Sequence, residues 1–134
     1  MSSKKPGLID TNLLVRYLVE DDSRKADAVE KLLKNPHKNL ILLDVTFAET
    51  VWVLSSFYNL EKEQIISSLS ALLDIPSIIA NRKVLHKALE YFANHNISFI
   101  DAYQAGFAQA GDLEIYSYDK DFDKLAQIKR IEPD

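Results

Sequence analysis

The chain contains no cysteine. That removes disulfides, thiolate nucleophiles and cysteine-based zinc sites together, and it suits a reducing cytoplasm. Glycine and proline are scarce, at three and four residues, and no low-complexity tract or internal repeat interrupts the sequence. No GxxxxGKS or GxGxxG cradle for phosphate occurs. The three histidines, His37, His86 and His95, fall in a predicted turn, at a mid-helix position and at a helix end. No serine near them sits in a nucleophile-elbow pattern. Met1 to Gly7 is short and polar, without the apolar core of a secretory signal. No apolar run approaches the roughly 20 residues that a membrane span needs. A soluble, cytoplasmic protein is expected. Positive charge is also in short supply, with a net charge of −4. This opposes binding of bulk nucleic acid by overall electrostatics. Two divalent cations would bring −4 + 4 to zero, so the acidity also fits a metal site.

What is present describes a globular chain. Its 134 residues are 47% hydrophobic, enough for a buried core in one domain spanning 1–134. Gly7 to Asp10 is an apolar run ending in an acid, and helical patterning follows from Thr11 to Val19. Glu20-Asp21-Asp22-Ser23 breaks that helix and caps the next, which carries Ala26, Val29, Leu32 and Leu33 and ends at Asn35-Pro36-His37. Leu40 to Leu43 reads as a strand buried on both faces of a parallel sheet. Thr46 opens a helix presenting Phe47, Val51, Leu54 and Tyr58, and a second carries Ile65, Ile66, Leu69, Leu72 and Leu73. Ser77 to Ala80 is a short strand; Val84, Leu85, Ala88, Leu89 and Phe92 mark a helix. Another begins near Ser98, with a small-residue stripe of Ala102, Ala105, Gly106 and Ala110. Leu113 to Tyr118, Phe122 to Ala126 and Lys129 to Ile131 complete the chain as strand, short helix and strand. Alternating strands and helices define an α/β fold, a central, mainly parallel sheet flanked by helices in an α/β/α arrangement. Ligands in such sheets bind outside the carboxyl ends of the strands.

That rule makes strand-end acids informative. Asp10 and Asp119 each end an apolar strand. A carboxylate there often only caps the next helix, but Thr11 and Asn12 are good caps themselves and leave Asp10 free of that task. Thr46-Phe47-Ala48-Glu49 matches a capping box, and Ser98-Phe99-Ile100-Asp101 is its close relative. The competing reading is that both acids sit in a first helical turn among apolar neighbours, where a charge is costly without a partner such as a metal ion. Asp21, Asp22, Asp27, Glu30, Glu61, Glu63 and Asp74 read as surface acids. Asp44 follows a strand and spacing does not separate it from the candidates. Asp121 and Asp123 lie close enough to Asp119 to help hold metal or to open the short helix. Carboxylate oxygens are hard ligands, so the ion would be Mg2+ or Mn2+.

Ile9-Asp10-Thr11-Asn12, running on through Leu13 to Leu18, resembles the opening of PIN-domain nucleases. The likeness continues through Phe47-Ala48-Glu49-Thr50-Val51-Trp52-Val53-Leu54 and Ser98-Phe99-Ile100-Asp101-Ala102. It closes with Tyr116-Ser117-Tyr118-Asp119-Lys120-Asp121-Phe122-Asp123, so that nearly the whole chain is covered. Within that superfamily the sequence looks most like VapC-type ribonuclease toxins of toxin–antitoxin pairs. The resemblance implies a metal-dependent endoribonuclease with Asp10, Glu49, Asp101 and Asp119 as its acidic quartet. It makes Asn12 and Ser117 polar neighbours that position the site; Asp121, by its nearness to Asp119, is a further supporting acid. It also implies cleavage leaving a 5′-phosphate and a 3′-hydroxyl, a small antitoxin partner and a homodimer.

Arg16 lies one helical turn after Asn12 and shares its face. With Arg82, Lys83, Lys120 and Lys124 it is a candidate for contacting RNA phosphates; each also reads as an ordinary surface base. Phe57, Tyr58, Ile65 and Leu69 are candidates for a groove that takes an antitoxin helix. The competing functions are a PIN nuclease of RNA processing without an antitoxin, a metal-dependent phosphatase, and a non-catalytic interaction module. The phosphatase is disfavoured because the first motif is Asp-Thr-Asn, not Asp-x-Asp.

Overall fold

Nine helical residues follow the first strand because Asp10, not Thr11 or Asn12, stops the extended chain. Its φ of −92° and ψ of 152° are extended, and its Oδ2 accepts the Asn12 amide at 3.2 Å. The predicted caps are therefore corrected: Thr11 and Asn12 lie inside the helix. The computed structural model describes residues 5–20 and 22–134. The surface role expected of Asp21, and the first four residues of the polar start, lie outside the described residues.

The chain forms two compact units, Met1–Asn81 and Arg82–Asp134. In the first, β1 (Gly7–Leu8), β2 (Leu40–Ile41) and β3 (Ile78–Ile79) make a parallel sheet in the order β1-β2-β3. Gly7 pairs with Leu40 and Leu40 with Ile78. Parallel neighbours require helical crossovers. These are α1 (Thr11–Val19) and α2 (Ser23–Leu33) before β2, then α3 (Asp44–Trp52) and α4 (Lys62–Leu73) before β3. Glu20 closes α1 in the left-handed conformation, and Asp22 caps α2 through the Lys25 amide. Apolar residues at helical spacing supply the core, with Leu14, Leu33, Leu54, Leu69 and Leu73 at most 1% exposed. The run from Leu40 to Leu43 is not buried throughout: Leu40 and Leu42 are buried, whereas Leu43 is exposed.

Two sequence expectations shift within this unit. Helix α3 opens at Asp44, with Leu43 as its N-cap, so Thr46 is the third helical residue and cannot cap. The Thr46–Glu49 capping box is thus not formed, and Thr46 instead offers its carbonyl to the Thr50 hydroxyl at 2.8 Å. Beyond Trp52 the helix widens into a π-helical turn over Val53–Phe57, where the Tyr58 amide reaches back to the Val53 carbonyl at 3.2 Å. The extra residue of a π-turn changes the facing of all that follows. Leu54 stays inside while Phe57 turns out to solvent.

In the second unit, α5 (Arg82–Asn94) and α6 (Phe99–Gly111) cross closely, and β4 (Ile115–Tyr116) pairs in parallel with β5 (Arg130–Ile131). The small-residue stripe explains the close crossing, since Ala102, Ala105 and Gly106 are buried and present little bulk. Tyr91 donates its hydroxyl to Gln109 at 2.6 Å, and Gln109 donates on to Gln127. The predicted helix over Phe122–Ala126 is a 3-10 turn lying two residues earlier, at Lys120–Lys124. The parallel strands and interleaved helices make this an α/β fold. No helix among the described residues is long and apolar enough to cross a membrane.

Candidate metal centre

The structure gathers the sequence candidates into two constellations, one in each unit. In the first unit Asp10, at the carboxyl end of β1, and Glu49 of α3 face one groove. Both line a groove of about 340 Å³ together with Asn12, Trp52, Phe57 and Tyr58. Both acids are exposed, so the burial argument made for Glu49 from its apolar neighbours does not hold. Its place in the second turn of α3 removes the capping explanation as well. Asp10 is committed to a cap through one oxygen only.

The second unit brings Asp101, Asp119 and Asp121 together. One carboxylate oxygen from each lies within 4.8 Å of the others, a spacing that suits a shared cation. Asp101 enters from the first turn of α6, where its amide donates to the capping Ser98 hydroxyl at 3.1 Å. Asp119 follows β4, and its Oδ1 accepts the Asp121 amide at 2.9 Å. Its own amide donates to Ser117 Oγ at 2.9 Å.

Crowding shows in the protonation equilibria. Partial burial, then the neighbouring charges of Asp119 and Asp121, hold the Asp101 carboxyl above the usual range against the opposing Ser98 hydroxyl. Such like-charge crowding disfavours ionisation, and a divalent cation relieves it. An all-oxygen donor set without histidine or thiolate fits Mg2+ or Mn2+.

Asp123 does not join the cluster. It is held by Arg130, whose Nε and Nη2 donate to the two carboxylate oxygens at 2.9 and 3.1 Å. That fork lowers the Asp123 carboxyl from its ordinary value. The role of Arg130 was not legible in the sequence. The only available signal was an arginine inside a predicted strand with an acid seven residues before it and another two after.

The basic candidates are scattered. Arg16 and Arg82 are half-buried, on α1 and at the start of α5, while Lys83 and Lys120 are exposed. Lys124 pairs with Asp121 at 3.1 Å. Asp44 opens α3 as the acid of its first turn. Ile65 and Leu69 are excluded from a partner groove because both are at most 1% exposed. Trp52, 64% exposed, takes a place in that groove which sequence reasoning did not assign.

Strand-end acids on an α/β scaffold, three of them with carboxylate oxygens within 4.8 Å of one another, form an acidic cluster of the kind that can hold a divalent cation. The chain belongs to the PIN-domain family, whose profile matches residues 7–128 and so runs through both units. PIN domains are generally nucleases and generally use divalent metal. No curated protein sequence matches the chain. A solved structure of VapBC2 from Rickettsia felis, bound to a DNA fragment from their promoter, is similar at 20% identity. The match covers 97% of this chain and 100% of that one, with a TM-score of 0.41.

Proposed function

We propose that this protein is a divalent-metal-dependent endoribonuclease, the cytoplasmic toxin of a toxin–antitoxin pair, acting as one domain over residues 1–134. Asp10, Glu49, Asp101 and Asp119 are its principal acids, with Asn12, Ser117 and Asp121 in support. The observation that carries the reading is the mutual approach of Asp101, Asp119 and Asp121 within 4.8 Å in a chain of the PIN family.

A divalent ion, when bound, neutralises charge on the phosphoryl oxygens and acidifies the attacking water. The chain's own residues prepare for it. Burial and the neighbouring Asp119 charge disfavour ionisation of Asp101. Ser117, through the Asp119 amide, and the Asp121 amide, on Asp119 Oδ1, fix where that carboxylate points. Asn12 does the same for Asp10 by donating its backbone amide to Oδ2. Asp10, Asp101 and Asp119 would be metal ligands, and Glu49 would serve a second ion or its water. Arg16, Arg82, Lys83 and Lys120 contribute phosphate contacts.

The partner reading is that an antitoxin helix covers Trp52, Phe57 and Tyr58. The support is two large aromatic side chains left open to solvent, Trp52 at 64% and Phe57 at 73%, in the groove that holds Asp10 and Glu49. A homodimer completes the assembly.

Cleavage of structured and single-stranded RNA by the purified protein, in Mg2+, Mn2+ or EDTA, tests the nuclease beside Asp10→Asn and Asp101→Asn. Metal-dependent cutting that both substitutions abolish, with 5′-phosphate and 3′-hydroxyl ends, is the expected result. A 2′,3′-cyclic phosphate product, or full activity in either variant, overturns the mechanism. Growth arrest on expression, relieved by an adjacent small gene, tests the toxin assignment.

A further inference from the structure

The segment that carries Asp119 and Asp121 is short and has little regular structure of its own. Its only helical bonding is a 3-10 turn, in which the Leu125 amide reaches the Phe122 carbonyl at 3.1 Å. Three acids crowded to 4.8 Å repel one another, so an unsupported loop would relax outward. Bonds within the loop orient Asp119, and a contact that spans the two ends of the loop would hold it in shape.

Arg130 meets both ends of the segment. Nη1 donates to the Ser117 carbonyl at 3.0 Å, two residues before Asp119. Nε and Nη2 fork the Asp123 carboxylate, two residues after Asp121. The same Nη1 also donates to Glu132 at 2.6 Å, anchoring the guanidinium to β5's own continuation. Position in the ladder fixes its base, because Arg130 pairs with Ile115 and the Ser117 amide bonds the Ile131 carbonyl at 3.0 Å. The Arg130 side chain is only 12% exposed, whereas the Asp123 and Glu132 carboxylates that it meets stay about half open to solvent. None of its recorded partners is a member of the acid cluster.

We propose that Arg130 is a positioning residue that clamps Ser117 to Asp123 so that Asp119 and Asp121 stand ready beside Asp101, and thereby sets the affinity of the site for a divalent cation. The inference rests on the metal reading given above and extends it to a residue outside the acid cluster. Only an arginine fits the task, since the planar fork serves Asp123 bidentately while a further N–H serves the Ser117 carbonyl.

The sign of the effect separates positioning from simple charge. A nearby guanidinium repels a cation, so electrostatics alone predicts tighter metal binding once Arg130 is removed. Positioning predicts the reverse. Mn2+ binding by the full chain, followed by electron paramagnetic resonance well below the melting temperature, is the test for wild type, Arg130→Lys and Arg130→Met. A dissociation constant raised about 10–100-fold in Arg130→Met, as is typical when an outer-shell partner of a metal ligand is lost, is expected. Arg130→Lys keeps the charge but not the fork and should fall in the same direction; it carries the test alone if Arg130→Met does not fold. Unchanged or tighter Mn2+ binding, with or without a lower melting temperature, overturns the proposal and leaves the metal site standing. Wild-type Mn2+ binding that Asp101→Asn does not weaken, or none at all, overturns the site and this inference together.

Discussion

Gly106 of α6 lies against the backbone of Ala88 in α5: a Cβ at Gly106 would stand 2.9 Å from the Ala88 nitrogen and 3.0 Å from the Val84 carbonyl. The obstacle is main chain, which cannot rotate away. Alanine would gain about 1 kcal/mol of helix propensity over glycine. Forcing two packed helices apart costs about 1–3 kcal/mol. Gly106→Ala should therefore lower stability by up to about 2 kcal/mol net, seen as a lower urea midpoint at unchanged slope. A rise in the midpoint would show that the helices separate freely.

Ser77 ties β3 to the end of α2, its hydroxyl donating to the Leu33 carbonyl at 2.6 Å in a buried setting. Leu33 is the last residue of α2, where carbonyls lack partners in a following turn. Ser77→Ala leaves that oxygen buried and unpaired, at a cost of about 1–3 kcal/mol. Equilibrium unfolding should register the loss, and a change below a few tenths would mean that water replaces the hydroxyl.

The raised Asp101 carboxyl makes a signed prediction for pH. A folded value above the unfolded one means that ionisation opposes folding. The penalty is complete above the folded value and fades as pH falls toward the unfolded value near 3.9. Asp101→Asn should then raise the melting temperature in EDTA at pH 7, with the gain vanishing in acid. The same variant should lose much of the upward shift that Mg2+ gives wild type. A variant no more stable than wild type in EDTA would refute the crowding.

Trp52 is the only tryptophan in the chain and is 64% exposed, which makes it a reporter for its groove. Its emission in the free protein should resemble that of tryptophan in water and move to the blue when a partner covers it. Trp52→Ala should leave stability within about 0.5 kcal/mol, because little is buried there. Weakened partner capture at unchanged stability is the expected result; undiminished capture would move the interface elsewhere.

Helix positions were legible because period and punctuation agree. Thr11–Val19 matches its patterning residue for residue, and the stripe at Ala102, Ala105 and Gly106 foretold close packing. The strand-end acids were legible from the rule for parallel sheets. What failed was local hydrogen-bond choice. Asp10 took the cap that Thr11 and Asn12 were equally able to supply, and Asp44 drew the start of α3 forward from Thr46. Neither outcome alters hydrophobic periodicity, so periodicity could not report it. Arg130 was invisible for a different reason: its partners Ser117 and Asp123 lie 13 and 7 residues away and meet it only through strand pairing. The family resemblance, not spacing, singled out Glu49 and Asp101.

The π-turn at Val53–Phe57 has a meaning for sequence change. It stores one surplus residue between a helix that carries Glu49 and a helix whose Ile65 and Leu69 are fixed in the core. Deleting a single residue there would remove the surplus and restore ordinary α-helical winding, so the residues that follow would keep their facing although an α-helix turns about 100° per residue. Glu49, upstream of the change, and Ile65 and Leu69, downstream of it, would keep their places. The turn is thus a natural indel point, at which the chain can lose a residue without disturbing the acid before it or the core after it.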